Sequence, residues 1–483
     1  MKTAAHMSSH LGVVPMLSRV QRQAVNSTPL LLAAVWVVAF GVLGWLAVLL
    51  VPNQSYFTAA AITSFILIPA LVIWMVGKAG QQGGWALAVL TGLVVFVSDA
   101  TLRGGIGRGL DGQSALKFGV WAAGLLLTFW RWREVKAALS QPAPLALAVF
   151  GVWCLLTSTY SATPLYTLGA STAFLGIWVT AVCMAKVFSP QRGLAIFIVA
   201  LMIAMVISLA LYALAPERVM TPMDAGRILR LSGLFGSPNN LGRAAALTLL
   251  LVCLAARHLR LRFAIPLMAA ALLVCGASLY LSGSRASTLG LLVGLAVLVL
   301  GRRPFMSATV LVGLACGALV FTYVPDVREL FISLISRTGR VSELTTFTGR
   351  TEIWQFVLDL IGKSPWLGYG FASTREIIPD GYAGAYGWTT TSAHNLWLQA
   401  WVTTGLIGLA LLVVSMISSM FQMLTNHLPE ADAVLAFVMV VGFFEASAVG
   451  PSVNLLTFVW VWSAALRAKS SKKRFIRSAS RKR

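Results

Sequence analysis

Of the 483 residues, 58% are hydrophobic and 11% charged, against roughly 25% charged in a typical soluble domain, which excludes a water-soluble globular chain. The apolar residues come in runs of about 20, the length that a ~30 Å hydrocarbon core demands of a helix, and not in the short alternating segments of a spanning β-barrel. Much of the net charge of +22 lies after Leu466 (Arg467, Lys469, Lys472, Lys473, Arg474, Arg477, Arg481, Lys482, Arg483). A basic segment past a last span marks a cytoplasmic end attracted to anionic membrane lipids, and without aromatic–basic interleaving it excludes nucleic acid as a partner.

The chain therefore reads as an all-α integral membrane protein, a polytopic helical bundle of about 12–14 transmembrane helices with one large periplasmic loop between late spans. Residues 1–29 form a cytoplasmic N-terminal segment, and the first apolar run, from Leu30, has the length of a retained span and not of a cleavable signal. Fourteen candidate spans follow, at approximately 30–51, 57–76, 85–101, 115–130, 144–160, 165–185, 193–214, 241–256, 263–281, 286–301, 306–323, 395–418, 433–449 and 455–466. This divides the chain into a bundle (30–324), a large loop (325–394), C-terminal helices (395–466) and a basic tail (467–483). The five cysteines (Cys154, Cys183, Cys253, Cys275, Cys316) lie within apolar runs without a C-x-x-C pair and read as packed thiols.

Placing the N-terminus inside puts the short basic connectors on the cytoplasmic side: Arg131, Arg133 and Lys136; Lys186 and Arg192; Arg257 to Arg262; Arg302 and Arg303. Two segments then face outward, 215–240 and 325–394, and loops as long as the second carry function or disorder. Helical spacing of Ile353, Trp354, Phe356, Val357, Leu360 and Ile361 predicts that this loop is an ordered cap.

The outward face should be poor in arginine, yet it holds Arg218, Arg227, Arg230, Arg243, Arg285, Arg328, Arg337, Arg340, Arg350 and Arg375. Pairing with Asp326, Glu329, Glu343 or Glu352 accounts for the loop arginines in general. Arg243 and Arg285 differ, because each opens an apolar span with no acid nearby in sequence. A cation at a helix N-terminus opposes the macrodipole unless an anion joins it, so these two are candidates for a phosphate cradle, with snorkelling to the interface as the alternative. Arg350, in Thr348-Gly349-Arg350-Thr351-Glu352, either pairs with Glu352 or contacts substrate. The run Pro365-Trp366-Leu367-Gly368-Tyr369-Gly370 offers aromatic surfaces for sugar stacking or for packing. Of five histidines only His394 lies outside, after the large loop, and it is the candidate catalytic or substrate-contacting imidazole. No His/Cys cluster accompanies it, so no metal and no cofactor is expected, and arginines have to neutralise any phosphate leaving group.

His394-Asn395, nine residues, then Gly405-Leu406-Ile407-Gly408 resembles the His-Asn-x9-Gly-x-x-Gly signature of bacterial O-antigen ligases and related polysaccharide polymerases. Arg285-Ala286-Ser287-Thr288-Leu289 and Arg243-Ala244-Ala245-Ala246-Leu247 are similar to the family's Arg-x3-Leu element, and Ser237-Pro238-Asn239-Asn240 also looks like a family feature. The resemblance runs from about Gly233 to Leu409. It implies a metal-independent, inverting glycosyltransferase of the bacterial inner membrane that uses an undecaprenyl-diphosphate-linked glycan as donor. Carried onto this chain, Arg243 and Arg285 would hold the diphosphate, Arg350 would close the loop over the donor, and His394 would orient or deprotonate the acceptor hydroxyl. Asn395 and Asn240 would support them. The acceptor is either a growing glycan, for an O-antigen or exopolysaccharide polymerase, or lipid-A core, for a ligase. The alternative class is a polysaccharide transporter or lipid-linked oligosaccharide flippase, for which Asp99 and Glu445 would be the intramembrane acids.

Overall fold

The computed structural model describes residues 74–75, 77–78, 84–101, 112–223, 228–301, 350–383, 389–451 and 454–480. Apolar helices follow one another in chain order: α1 (Gly84–Asp99), α2 (Gly112–Trp130), the short amphipathic α3 (Trp132–Leu139), α4 (Pro142–Leu156), α5 (Pro164–Val187) and α6 (Pro190–Leu214). A hairpin of β1 (Met220–Met223) and β2 (Ile228–Leu231) leads to α7 (Pro238–Ala256), α8 (Leu261–Ser282) and α9 (Arg285–Leu300). After α10 (Arg350–Lys363) and α11 (Thr374–Gly381) come α12 (Leu396–Thr425), α13 (Pro429–Phe444) and α14 (Leu455–Ser480). Proline opens α4, α5, α6, α7 and α13, where its fixed φ suits the first turn and its missing N–H is not needed. Among the described residues six helices are long and apolar enough to cross a membrane, and four shorter apolar helices accompany them. The protein is an all-α polytopic membrane protein.

Eleven of the fourteen predicted spans coincide with described helices; 30–51, nearly all of 57–76, and 306–323 lie outside the described residues. One boundary moves. The span predicted at 433–449 begins at Pro429 and stops at Phe444, so Glu445 sits just beyond the helix and not within it. The predicted cap helix is present as α10, with Ile353, Val357 and Ile361 buried on one face; the loop's residues 325–349 lie outside the described residues. The helix at 455–466 continues as α14 into the basic tail.

Helices pack where glycine allows close approach. Gly176 of α5 brings its backbone onto that of Trp121 of α2, and Gly290 and Gly294 of α9 seat Val441, Phe437 and Leu250. Phe150, Phe174 and Phe371 meet edge to face and tie α4 and α5 to the segment before α11. Because successive spans alternate in direction, the ends of α1, α4, α6, α8 and α13 share one end of the bundle with the starts of α2, α5, α7, α9, α12 and α14. The other end collects the connectors 131–136, 186–192 and 257–262, together with the ion pairs Arg467–Asp432 (2.7 Å), His258–Glu430 (2.9 Å) and His427–Asp432.

Candidate active site

Glu445 organises the first of these ends. Its Oε1 accepts from Arg350 Nη2 (2.7 Å) and from Asn239 Nδ2 (2.9 Å), and its Oε2 meets His394 Nδ1 at 3.3 Å. Arg350 is the first residue of α10, Asn239 the second of α7, and His394 precedes α12, so one carboxylate gathers three separate elements. Burial raises the carboxyl's affinity for its proton, but the hydrogen bond and charge of His394, with the charges of Arg350 and Arg243, outweigh it and lower the pKa to about 2. The carboxylate is thus held ionised.

His394 is held as firmly. Asn395 caps α12, its Oδ1 accepting from the N–H groups of Trp397 (2.9 Å) and Leu398 (3.0 Å), while its Nδ2 donates to the carbonyl of Phe443 (3.0 Å). Gln399 Oε1 accepts from the Ala393 N–H (2.9 Å), and Trp354 Nε1 donates to the Ala393 carbonyl (2.9 Å). His394 itself has φ +48°, a left-handed conformation that a non-glycine residue keeps only where its surroundings fix it. With Nδ1 turned to Glu445, Nε2 lies 2.9 Å from the Thr390 hydroxyl. An imidazole backed by a carboxylate and aimed at a hydroxyl is the arrangement of a general base.

The arginines take different places. Arg350 pairs with Glu445 and not with Glu352, which receives the Tyr382 hydroxyl (3.3 Å); residues two apart on a helix do not face each other. Arg243 is 1% exposed and bound to Asp99 (3.0 Å) and to the Ser447 hydroxyl. As placed, its guanidinium is committed to protein partners, and a diphosphate would have to draw it from Asp99. Arg285 opens α9 at the same end, partly exposed, beside the turn that Arg230 grips through its Nε bond to the Ser282 carbonyl (2.6 Å). Arg230 also donates to Asn239 Oδ1 (2.8 Å), linking that turn to Glu445. Asn240 turns away to the carbonyl of Phe235 (3.3 Å); its neighbour Asn239 is the one in the network.

The glycines of the histidine signature have a mechanical reason. At Gly405 (φ +66°) α12 breaks, and a Cβ there would collide with the Trp366 carbonyl. The break frees the carbonyls of Val402 and Thr403 to accept the N–H groups of Tyr369 (3.0 Å) and Gly370 (2.9 Å), and the Leu406 N–H reaches the Pro365 carbonyl (2.9 Å). The aromatic run 365–370 is docked into this notch, so the cap and the histidine-bearing helix are one joint. Among the described residues no three His, Cys, Asp or Glu side chains come together in a metal-holding group.

Residues 269–413 match the family model described as O-antigen ligase. Over this stretch the chain is similar to O-antigen ligases. The ligase match takes in Arg285, Arg350, His394 and the Gly405 notch, and ends before Glu445. Over 159 residues the chain is 28% identical to "Exopolysaccharide production protein ExoQ" of Rhizobium meliloti (strain 1021), covering 30% of this chain and 34% of that protein. Over 220 residues it is 29% identical to an O-antigen ligase of Pseudomonas aeruginosa PAO1, covering 44% of this chain and 50% of that one. The matched part thus spans no more than half of either relative.

Asp99 and Glu445, the acids on which a transporter reading would rest, both lie at the His394 end of the bundle, at or just past helix termini. Glu445 is the functional candidate that sequence reasoning undervalued, and the signal was an acid inside an otherwise apolar run.

Proposed function

We propose that this protein is a membrane glycosyltransferase that moves a glycan from an undecaprenyl-diphosphate-linked donor to a sugar hydroxyl, as a polymerase of O-antigen or exopolysaccharide repeats or as an O-antigen ligase. The reaction takes place at the periplasmic face of a bacterial inner membrane, with both termini cytoplasmic, an orientation supported by the basic connectors gathered at the opposite end. The observation that carries the reading is the His394–Glu445–Arg350 junction: one carboxylate aligns an imidazole next to a guanidinium at the mouth of an apolar bundle. A donor with a long isoprenoid tail enters such a mouth sideways from lipid.

In the step we infer, His394 Nε2 takes the proton of the acceptor hydroxyl as its oxygen attacks the anomeric carbon. The bond from that carbon to the diphosphate breaks on the opposite side, which inverts the configuration. Arg285 and Arg350 receive the departing diphosphate, and Arg243 supports them from beneath through Ser447. A positioned base contributes about 10²–10⁴-fold, and stabilising the leaving charge a comparable factor. The residue chemistry supports a metal-independent reaction.

The test is incubation of the purified protein with undecaprenyl-diphosphate oligosaccharide, with and without lipid-A core. Longer lipid-linked chains identify a polymerase, transfer to the core a ligase, and neither product overturns the proposal. Chelator should leave the rate unchanged; a strict divalent-cation requirement removes the metal-independent part. His394→Ala should abolish product at normal membrane abundance.

A further inference from the structure

At the His394 end Arg350 is engaged with Glu445, Arg243 with Asp99 and Arg230 with Asn239. Arg375, in the first turn of α11, is different. Its guanidinium lies over the ring of Tyr166, 4.7 Å from the centroid, and among the described residues no carboxylate pairs with it. Stacking occupies the face of the guanidinium and leaves its N–H edge available, the edge that grips an oxyanion.

The platform is rigid. The Tyr166 hydroxyl donates to the Pro451 carbonyl (2.7 Å). Thr374 accepts from Gln399 Nε2 (2.7 Å), and Gln399 in turn holds Ala393, the residue before His394. Gln399 therefore ties the residue before Arg375 to the residue before His394. Along the same seam, where 160–167 runs beside 366–375, Tyr160 (40% exposed) and Trp366 (66% exposed) present aromatic surface, and the Tyr160 hydroxyl is fixed to the Leu367 carbonyl (2.9 Å). Large aromatics left open beside a cation suit a charged sugar, whose ring stacks while its anion meets the fork.

The platform also lies on different helices from Arg285. Arg285 belongs to α9, which packs on α7 and α13, whereas Tyr166 belongs to α5, which packs on α2, α4 and α14. The segment from Glu445 to Pro451 lies between the two groups. A transferase needs two glycans on either side of its base, one of them held by the diphosphate.

We propose that the Arg375–Tyr166 platform is the acceptor subsite, and that it selects a sugar bearing an anionic substituent, a phosphate monoester or a carboxylate. This rests on the transferase reading above. The test uses the full-length protein in zwitterionic nanodiscs with three soluble oligosaccharides of one skeleton: neutral, phosphorylated and carboxylated. Both anionic probes should bind about tenfold more tightly than the neutral one. Arg375→Ala should abolish that difference without weakening the neutral probe, and Arg375→Lys should recover part of it, which separates recognition from misfolding. In turnover, Arg375→Ala should raise the acceptor KM about tenfold while kcat and the donor KM stay within about twofold. Equal binding of all three probes overturns the subsite, as does a rise in donor KM, or a charge effect that follows anionic lipid in the disc and not the probe. Charge-selective binding without any glycan transfer would instead strike the transferase reading and leave an anionic-glycan site.

Discussion

Glu445→Gln isolates one hydrogen bond in the junction. Arg350 and Asn239 both donate to Oε1, and His394 alone faces Oε2. A glutamine whose oxygen takes the Oε1 position keeps both of the first two bonds, and its NH2 group then faces His394 Nδ1. Two donors cannot share that contact, so the imidazole must accept at Nδ1 and carry its proton on Nε2. Nε2 is the atom that lies 2.9 Å from the Thr390 hydroxyl and that would take the acceptor proton. The substitution thus converts the proposed base into a donor with little change of shape.

The expected loss is that of a positioned base, about 10²–10⁴-fold in kcat, with the donor KM changed only a few-fold. Glu445→Ala is a different perturbation. It strands Arg350 in a partly buried site, a change on the scale of about 3–5 kcal/mol for a broken buried pair, and should lower the amount of folded protein. The assay is single-turnover transfer from radiolabelled lipid-linked donor, normalised to folded protein measured by gel-filtration fluorescence. If Glu445→Gln stays within about threefold of the parent in kcat, the carboxylate does not set the imidazole's proton, and the junction is structural only.

Three further outcomes follow from the same geometry. Arg285→Lys should remain impaired by at least about tenfold in kcat/KM, because a point charge does not replace a bidentate fork; full activity would mean that charge alone suffices. Gly405→Ala should undock the cap, at a cost of about 1–3 kcal/mol for a residue forced into φ > 0 against the Trp366 carbonyl, read as new protease sensitivity between 364 and 395; unchanged protection refutes the joint. The Glu445 carboxyl titrates below its ordinary 4.5, so its contribution to stability is complete above that pH and lost as pH falls towards 2. The Glu445 component of the thermal midpoint should therefore be flat above about pH 5 and fall below it, and be missing in Glu445→Gln.

Most helices were legible because a hydrocarbon core imposes length and apolarity, and composition records both. His394 and Arg350 were legible for a related reason: an imidazole and a guanidinium where topology disfavours them stand out against an apolar chain. Their partners were not. Proximity in sequence suggested Glu352 for Arg350, yet the carboxylate that binds it is 95 residues away. Arg243 looked unpaired because Asp99 lies 144 residues upstream on another helix. Hydropathy continues past Phe444 to Val449 and places Glu445 inside a span, whereas the helix ends where the side chain turns to Asn239, Arg350 and His394. The reason for Gly405 needed the run 365–370 in place against it, a contact that no periodicity encodes.

The junction holds its shape because α13 is anchored at both ends. Its first turn carries Glu430 and Asp432, bound to His258, His427 and the buried Arg467, and its C-terminus delivers Glu445. Sixteen residues of helix separate the two ends, about 24 Å at 1.5 Å per residue. The acids at each end are paired with their own cations, so coupling between the ends is carried mainly by the helix. Asp432→Asn strands Arg467, which is fully buried, and should cost about 3–5 kcal/mol of stability. It should nevertheless leave kcat per folded molecule within about twofold, since Glu445, His394 and Arg350 keep their own contacts. A fall in kcat well beyond the loss of folded protein would show that α13 transmits strain along its length, and that the base is aligned from the far end of the bundle as well as by the cap.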